Sequence, residues 1–312
     1  MAALTHTRSF TDLLTIDALS IEEFETLLEL SAEAKRAPLA WRDQHAGQVI
    51  ACHLGKPSIR TAVSLEAAAH RLGALPVMLR PGELQLGRGE TIADTARVLS
   101  AFVSAIAIRT FAQTDVEELA AAAEVPVINL LTNLHHPGQA LADLLTLHEH
   151  FGELTGLKLA YVGDGTNVAH SLMEAGALAG MQVSLATPHG YEPDIGITVS
   201  AHDRARLRGG SVTVVRDAAS AVGDAHAVYT DVWVSTEEDT ERAERLQRLA
   251  PYRVDQELMS HARPDAVFMH CLPAHRGEEV AAEVIDGPQS IVFEQAANRL
   301  PTEQAVLHAL LR

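Results

Sequence analysis

Ten short apolar runs recur along the chain, separated by amphipathic stretches. They are GQVIACHL, LPVMLR, AIAIRTF, VPVINLL, LKLAYVGD, QVSLATP, SVTVVRD, AVYTDVW, AVFMHC and SIVFEQA. Their length and their Gly, Pro or Asp boundaries predict strands buried on both faces. TIADTARVLSAFV and QALADLLTLHEHFG, lying between such runs, carry apolar residues at helical spacing. Strands alternating with helices predict parallel sheets covered on both faces, and hence an α/β fold with two doubly wound domains. The border falls near residue 150, where the helix in PGQALADLLTLHEHFGELTG gives way to a Gly-containing turn and the fresh strand LKLAYVGD. Residues 1–150 and 151–312 are the expected domains.

The 312 residues, 47% of them hydrophobic, suffice for two ordinary cores. A net charge of −17 without a basic stripe gives no sign of nucleic-acid binding or of attraction to an anionic membrane. Any anion must therefore be held locally. The opening MAALTHTRSF has no long apolar core, and no later run approaches the roughly 18–20 residues that span a bilayer, so a cytoplasmic protein is expected. Cys52 and Cys271 are far apart and lack CxxC spacing, which argues against a disulfide scaffold or a structural zinc. The 16 histidines follow no HExxH pattern, and neither a metal nor a cofactor is expected. STEEDTERAERLQRL, acidic and then mixed in charge, predicts a solvated loop and helix.

In open parallel sheets, ligands collect beyond the carboxyl ends of the strands. Five segments place polar chemistry there. In KPSIRTAVSLE a strand ends, turns, and opens a helix, so Ser58 to Thr61 present N–H groups and hydroxyls while Arg60 adds a forked cation. That pattern fits a phosphate cradle or, equally, a helix capped by Ser58. Arg109 follows the apolar strand of AIRT. NLHHPGQALAD sets His135, His136 and Gln139 around a helix-starting proline, where the histidines could equally be solvated loop residues. YVGDGTNVAHS offers a glycine turn without the full GxGxxG. FMHCLPAHRGEEV delivers Cys271 and Leu272 to a Pro turn, and a lone Cys is usually an inert packing residue.

Taken in order, KPSIRTAVSLE, LQLGRGETIADTARVLS, IRTF, HHPGQALADLLTL, YVGDGTNVAHS, YTDVWVS, FMHCLPAHRGEEV and QAANRLPTEQAV resemble the aspartate/ornithine carbamoyltransferase family, closest to its ornithine branch. The family's S-T-R-T-R is echoed by Ser58, Arg60 and Thr61, its H-P-x-Q by His136, Pro137 and Gln139, and the branch's H-C-L-P by His270 to Pro273. The resemblance implies transfer of a carbamoyl group from carbamoyl phosphate to the side-chain amine of ornithine or a related diamino acid, without cofactor or metal. It implies that Ser58, Ile59, Arg60, Thr61 and Arg109 hold the phosphate, and that His136, Arg109 and Thr61 face the carbonyl oxygen. Gln139 would fix the carbamoyl amide, and Arg299, in a last helix (about 296–312) returning to the first domain, would close on the ligand. Gln85 matches a residue lent across a subunit boundary, which implies a homotrimer with shared sites. Asp231 would take the substrate's α-ammonium, Asn167 and Ser235 its α-carboxylate, with Thr236 alongside and Cys271 and Leu272 near the attacking amine and the carbamoyl phosphate.

The sequence departs from that pattern at four places. Ile59 replaces a Thr and Ala62 an Arg in the first motif, Asn167 stands alone where the branch pairs two Asn, and Ser235-Thr236-Glu237 replaces S-M-G. Two of these changes lie at the amine site, which raises a shorter diamino acid or putrescine as an alternative acceptor. The first two raise a catalytically weakened trimeric paralogue, against which stand Arg60, Arg109, His136, Gln139, Cys271 and Arg299, retained across five motifs. A nicotinamide-dependent oxidoreductase would explain neither HPGQ nor HCLP.

Overall fold

The computed structural model describes residues 10–80, 84, 89–234 and 242–311. It divides into two compact units, Met1–Leu141 with Arg299–Arg312, and Ala142–Asn298.

The first unit contains α1 (Ile21–Arg36), β1 (Val49–Leu54), α2 (Ile59–Leu72), β2 (Leu75–Leu79), α3 (Ile92–Ser100), β3 (Ala105–Arg109), α4 (Gln113–Ala122), β4 (Val127–Leu131) and the start of α5 (Pro137–Phe151). Its four strands pair in parallel in the order β2-β1-β3-β4. β1 and β3 are central, and apolar Ile50, Ala51, Ile106 and Ala107 are buried there, as strands covered on both faces require. α1 starts where the sequence provides a capping box, with Ser20 and Glu23 each accepting the other's backbone N–H. The C-terminal residues are fixed within this unit by direct contacts. The His308 ring stacks on Trp41 at 4.0 Å, its Nδ1 lies 2.9 Å from His45 Nε2, and Gln304 donates to the Pro38 carbonyl at 2.9 Å.

The second unit continues α5 and adds β5 (Lys158–Val162), α6 (Asn167–Leu178), β6 (Gln182–Ala186), α7 (Ile195–Leu207), β7 (Ser211–Val215), α8 (Ala218–Val222), β8 (Ala227–Thr230), α9 (Arg242–Leu249), α10 (Gln256–Met259), β9 (Val267–His270), α11 (Ala282–Ile285) and most of the first turns of α12 (Val292–Leu310). Its five parallel strands run β7-β6-β5-β8-β9. Tyr161 and Tyr229 are register partners on β5 and β8, fully buried and stacked at 5.8 Å. The Tyr229 hydroxyl donates to Asp143 at 3.1 Å, and Gln295 donates to that hydroxyl and to Asp143 at 3.0 and 2.7 Å, so these buried polar groups satisfy one another.

Nine of the ten apolar runs are strands. The tenth, SIVFEQA, is instead the start of α12. Only its first two residues meet β9, through a Phe268–Ser290 bridge and an Ile291 N–H to Phe268 carbonyl bond at 3.0 Å. Gln295 N–H then bonds the Ile291 carbonyl at 3.0 Å, so helical bonding overrides the local β preference of Ile291 and Val292.

Both sheets reverse their build direction once. From β1 the first unit grows outward to β2, then returns to place β3 on the other side of β1. From β5 the second grows to β6 and β7, then returns to place β8 beside β5. The loops at such a switch diverge and leave a crevice at the carboxyl ends of the two strands. The β1/β3 switch carries Ser58–Thr61 and Arg109, and the β5/β8 switch carries Asp164–Asn167 and Asp231.

Candidate functional site

In the first unit the loop after β1 lies close against the end of β3. Gly55 N–H bonds the Arg109 carbonyl at 2.8 Å, and a Cβ on Gly55 would sit 2.9 Å from that oxygen, so only glycine fits. Lys56 is engaged over the Phe111 ring at 4.1 Å and donates to Asn133 at 3.1 Å. Ser58 is the N-cap of α2, in extended backbone conformation, with its Oγ accepting Thr61 N–H at 3.3 Å and donating to Thr61 Oγ1 at 3.1 Å. The cap reading of KPSIRTAVSLE therefore holds, and it leaves the first turn of α2 with no acidic side chain. The positive end of a helix without a carboxylate of its own, next to Arg60, favours an external anion. Ile59 is 75% exposed.

Thr61, Gln139 and Arg299 converge. Arg299 is buried and donates through one guanidinium nitrogen to Gln139 Oε1 at 2.9 Å, and through the other to Thr61 Oγ1 at 3.4 Å and Glu303 Oε1 at 2.7 Å. His136 precedes α5, where its carbonyl accepts the first helical bonds, from Gln139 and Ala140 N–H at 3.1 and 3.2 Å. It is buried rather than solvated, and so is His135. Burial, then the cations of Arg299, Arg109 and Arg60, hold its imidazole well below the usual histidine range. A neutral imidazole among three arginines is thus the centre of this cluster, suited to donate a hydrogen bond without taking a proton from the ligand. The approach to His136 is set by Thr132, whose Oγ1 accepts His135 N–H at 3.0 Å and donates to Gln113 at 2.8 Å.

In the second unit Asp231 follows β8 and Cys271 follows β9, adjacent strands of one sheet. The Cys271 thiol donates to Asp231 Oδ1 at 3.0 Å, and Val232 N–H donates to the same oxygen at 2.7 Å. Leu272 has φ +58°, a left-handed conformation that strains a branched residue, and its N–H bonds His270 Nδ1 at 2.8 Å. The other ring nitrogen, Nε2, faces Glu279 Oε1 at 3.3 Å, with both side chains fully buried. Asn167 opens α6 beyond β5. Arg245 pairs with Asp164 and donates to the Trp233 carbonyl at 2.8 Å, tying the β5 loop to the segment after Asp231. The GDG turn serves close packing: a Cβ on Gly165 would lie 2.4 Å from Pro193 N. Gln85, Ser235 and Thr236 lie outside the described residues.

Cysteine chemistry separates the two thiols. Burial, with Glu303 and Glu66 adding to it, pushes the Cys52 thiol up to about 12, so it is an inert core group. Cys271 is half-buried beside the Asp231 carboxylate.

The carbamoyl-P binding domain profile of the aspartate/ornithine carbamoyltransferases matches residues 11–149, and the Asp/Orn binding domain profile of the same family matches residues 155–310. The chain belongs to the aspartate/ornithine carbamoyltransferase family. It is 50% identical over 300 residues to the ornithine carbamoyltransferase of Bacillus subtilis, covering 96% of this chain and 93% of that protein. Against the ornithine carbamoyltransferase of Listeria monocytogenes the figures are 47% over 301 residues, with 96% and 95% covered. The solved structure of ornithine carbamoyltransferase from Pyrococcus furiosus superposes with a TM-score of 0.93 at 48% identity, covering 96% of each chain.

Within this family member, the first unit brings together Ser58, Thr61, Gln139 and Arg299 by hydrogen bonds and sets Arg60 and Arg109 electrostatically around His136. The second brings together Asp231 and Cys271, with Leu272 fixed through His270. Glu303, Thr132, Gln113 and Glu279, all buried, join the site without being marked by any motif of the sequence. Only Glu303 left a signal, an acid four residues after Arg299 on one helix.

Proposed function

We propose that the chain transfers the carbamoyl group of carbamoyl phosphate to the side-chain amine of ornithine, giving citrulline and phosphate. The observation that carries this reading is the cluster of a neutral His136 among Arg60, Arg109 and Arg299, bonded to Thr61 and Gln139. The first unit would hold carbamoyl phosphate, and the second the amino acid. A dianionic phosphate needs the arginines and the α2 N-terminus, while the carbamoyl carbonyl needs a neutral donor that polarises it without stealing charge. Asp231 offers a carboxylate to the α-ammonium, and Cys271 and Leu272 flank the attacking nitrogen. Asn167 and Ser235 take the α-carboxylate.

The amine attacks the carbonyl carbon, the carbon–oxygen bond to phosphorus's bridging oxygen breaks, and inorganic phosphate leaves. The proton lost by the amine passes to the phosphate. With a pKa of about 10.4 only about one amine in 10³ is neutral at pH 7, a cost of roughly 4–5 kcal/mol that nearby positive charge and desolvation reduce. Placing nitrogen and carbon about 3–3.5 Å apart supplies much of the remaining rate. No covalent enzyme intermediate is required.

We further propose a cytoplasmic homotrimer in which Gln85 completes a neighbour's site. Exposed apolar residues on the edge strand β2 (Leu75, Val77) and on α2 (Val63) support a subunit interface. Among the described residues no helix is long and apolar enough to cross a membrane. The test is phosphate release and ureido-product formation from carbamoyl phosphate with ornithine, lysine, putrescine, 2,4-diaminobutyrate and 2,3-diaminopropionate. Ornithine is expected to give the highest kcat/KM. No turnover with any amine would sink the reading, and a preference for a shorter diamine would replace ornithine as the substrate.

A further inference from the structure

We propose that His275, Glu278 and Glu279 form a site for a divalent metal ion on the segment between β9 and α11. The three side chains offer His275 Nδ1, Glu278 Oε2 and Glu279 Oε2, all within 4.8 Å of one another. The nitrogen lies 3.7 Å from the Glu278 oxygen and 3.9 Å from the Glu279 oxygen. The other carboxylate oxygens are already used: Glu278 Oε1 pairs with Arg242, and Glu279 Oε1 accepts His275 N–H and faces His270 Nε2. The three converging atoms are each buried without a hydrogen-bond partner, and the Glu279 side chain is fully buried.

A buried carboxylate oxygen aimed at no donor is costly, and a cation between the three atoms removes that cost. A proton on His275 does so poorly, because 3.7 and 3.9 Å are too long for hydrogen bonds. Metal bonds of about 2.1 Å would subtend roughly 124° across the 3.7 Å pair and roughly 136° across the 3.9 Å pair, so a shift of a few tenths of an ångström brings His275 to ordinary geometry with each carboxylate. One imidazole and two carboxylates suit Zn²⁺ or Mn²⁺. The backbone already holds the ligands, with Glu278 N–H bonded to the His275 carbonyl at 2.9 Å and Gly277 N–H to the Val280 carbonyl at 2.8 Å. The His275 side chain is 42% exposed, which leaves a path for the ion and positions for water ligands. Bound metal would brace the segment that follows Cys271 and Leu272.

A second group, Asp231, His270 and Cys271, also gathers metal-ligating atoms, so the experiment must separate the two. Full-length protein stripped with a chelator is titrated with Mn²⁺, bound ion being counted by the loss of the free Mn²⁺ EPR signal. Co²⁺ is then added to read thiolate coordination by absorption. One Mn²⁺ per chain is expected, retained in Cys271→Ser and without a thiolate band for Co²⁺ at this site. His275→Ala and Glu278→Gln are expected to weaken Mn²⁺ on the order of 10²-fold or more, beyond the loss typical of an outer partner. His275→Asn replaces His275→Ala if the latter fails to fold. Absence of stoichiometric binding at millimolar Mn²⁺, unchanged binding in the folded His275 and Glu278 variants, or loss of binding in Cys271→Ser overturns the site. The assay needs neither carbamoyl phosphate nor ornithine, so its outcome is independent of the proposed reaction.

Discussion

Replacing Arg299 by Met removes the strongest of the three cationic influences that keep His136 neutral, and the imidazole reports the loss directly. Burial remains, together with Arg109 and Arg60, so the shift is partial. In the wild type a depressed histidine stays neutral where an ordinary one charges: with a pKa of 6.5, an imidazole would be about three-quarters protonated at pH 6. His136 is expected to show less protonation than that in the wild type and more in Arg299→Met. The measurement is a ring-labelled histidine NMR titration from pH 8 to 5.5, with the His136 resonances assigned by their disappearance in His136→Gln. The sign follows through to stability. A folded-state pKa below the unfolded value means that the native state is favoured above about pH 6.5. This contribution is lost as pH falls toward the folded value, with a slope of at most about 1.4 kcal/mol per pH unit for one group. Denaturation by guanidinium at pH 7.5 and 6 reads that slope as the difference between wild type and His136→Gln. A wild-type His136 midpoint at or above 6.5, or a midpoint unmoved by Arg299→Met, would refute the electrostatic account of the cluster.

Other outcomes follow from single contacts. Arg299→Lys keeps the charge but loses the fork that reaches Gln139, Thr61 and Glu303, and should raise KM for carbamoyl phosphate about 10- to 100-fold in steady-state kinetics, with kcat affected less. Ile59→Thr, at an exposed first-turn position, should leave the melting temperature within about 2 °C while tightening carbamoyl phosphate, read by calorimetry, by several-fold; unchanged affinity counts against the cradle. Gly165→Ala should lower stability by about 2 kcal/mol or more in denaturant titration, because its methyl would lie 2.4 Å from Pro193 N.

Much of the site could be read along the chain because its chemistry sits in short contiguous words. KPSIRT, HPGQ and HCLP each place their polar residues within one loop at a strand end, where local geometry alone presents them. The residues that escaped are those whose role depends on a distant partner. Glu303 matters because Arg299 points at it, Thr132 and Gln113 because together they set the turn before His136, and Glu279 because folding brings it to His270. HRGEEV sets Glu278 and Glu279 three and four residues after His275, but only folding brings three of their atoms together in a buried place where none has a hydrogen-bond partner.

The local pattern by itself determined nine of the ten runs as strands and the helices of TIADTARVLSAFV and QALADLLTLHEHFG, since periodicity and turn residues act within a few residues, whereas it left the Ser58 cap and a phosphate cradle equally open. It misassigned SIVFEQA, where β preference pointed one way and the helical bonds from Ile291 onward went the other. Tertiary structure decided the strand orders, and with them the two switch points that gather Ser58 with Arg109 and Asn167 with Asp231. It also set the electrostatics. A chain of net charge −17 holds a neutral histidine among three arginines only because folding buries that histidine with Arg299 and brings the half-buried Arg60 and Arg109 beside them, where little water is left to screen them.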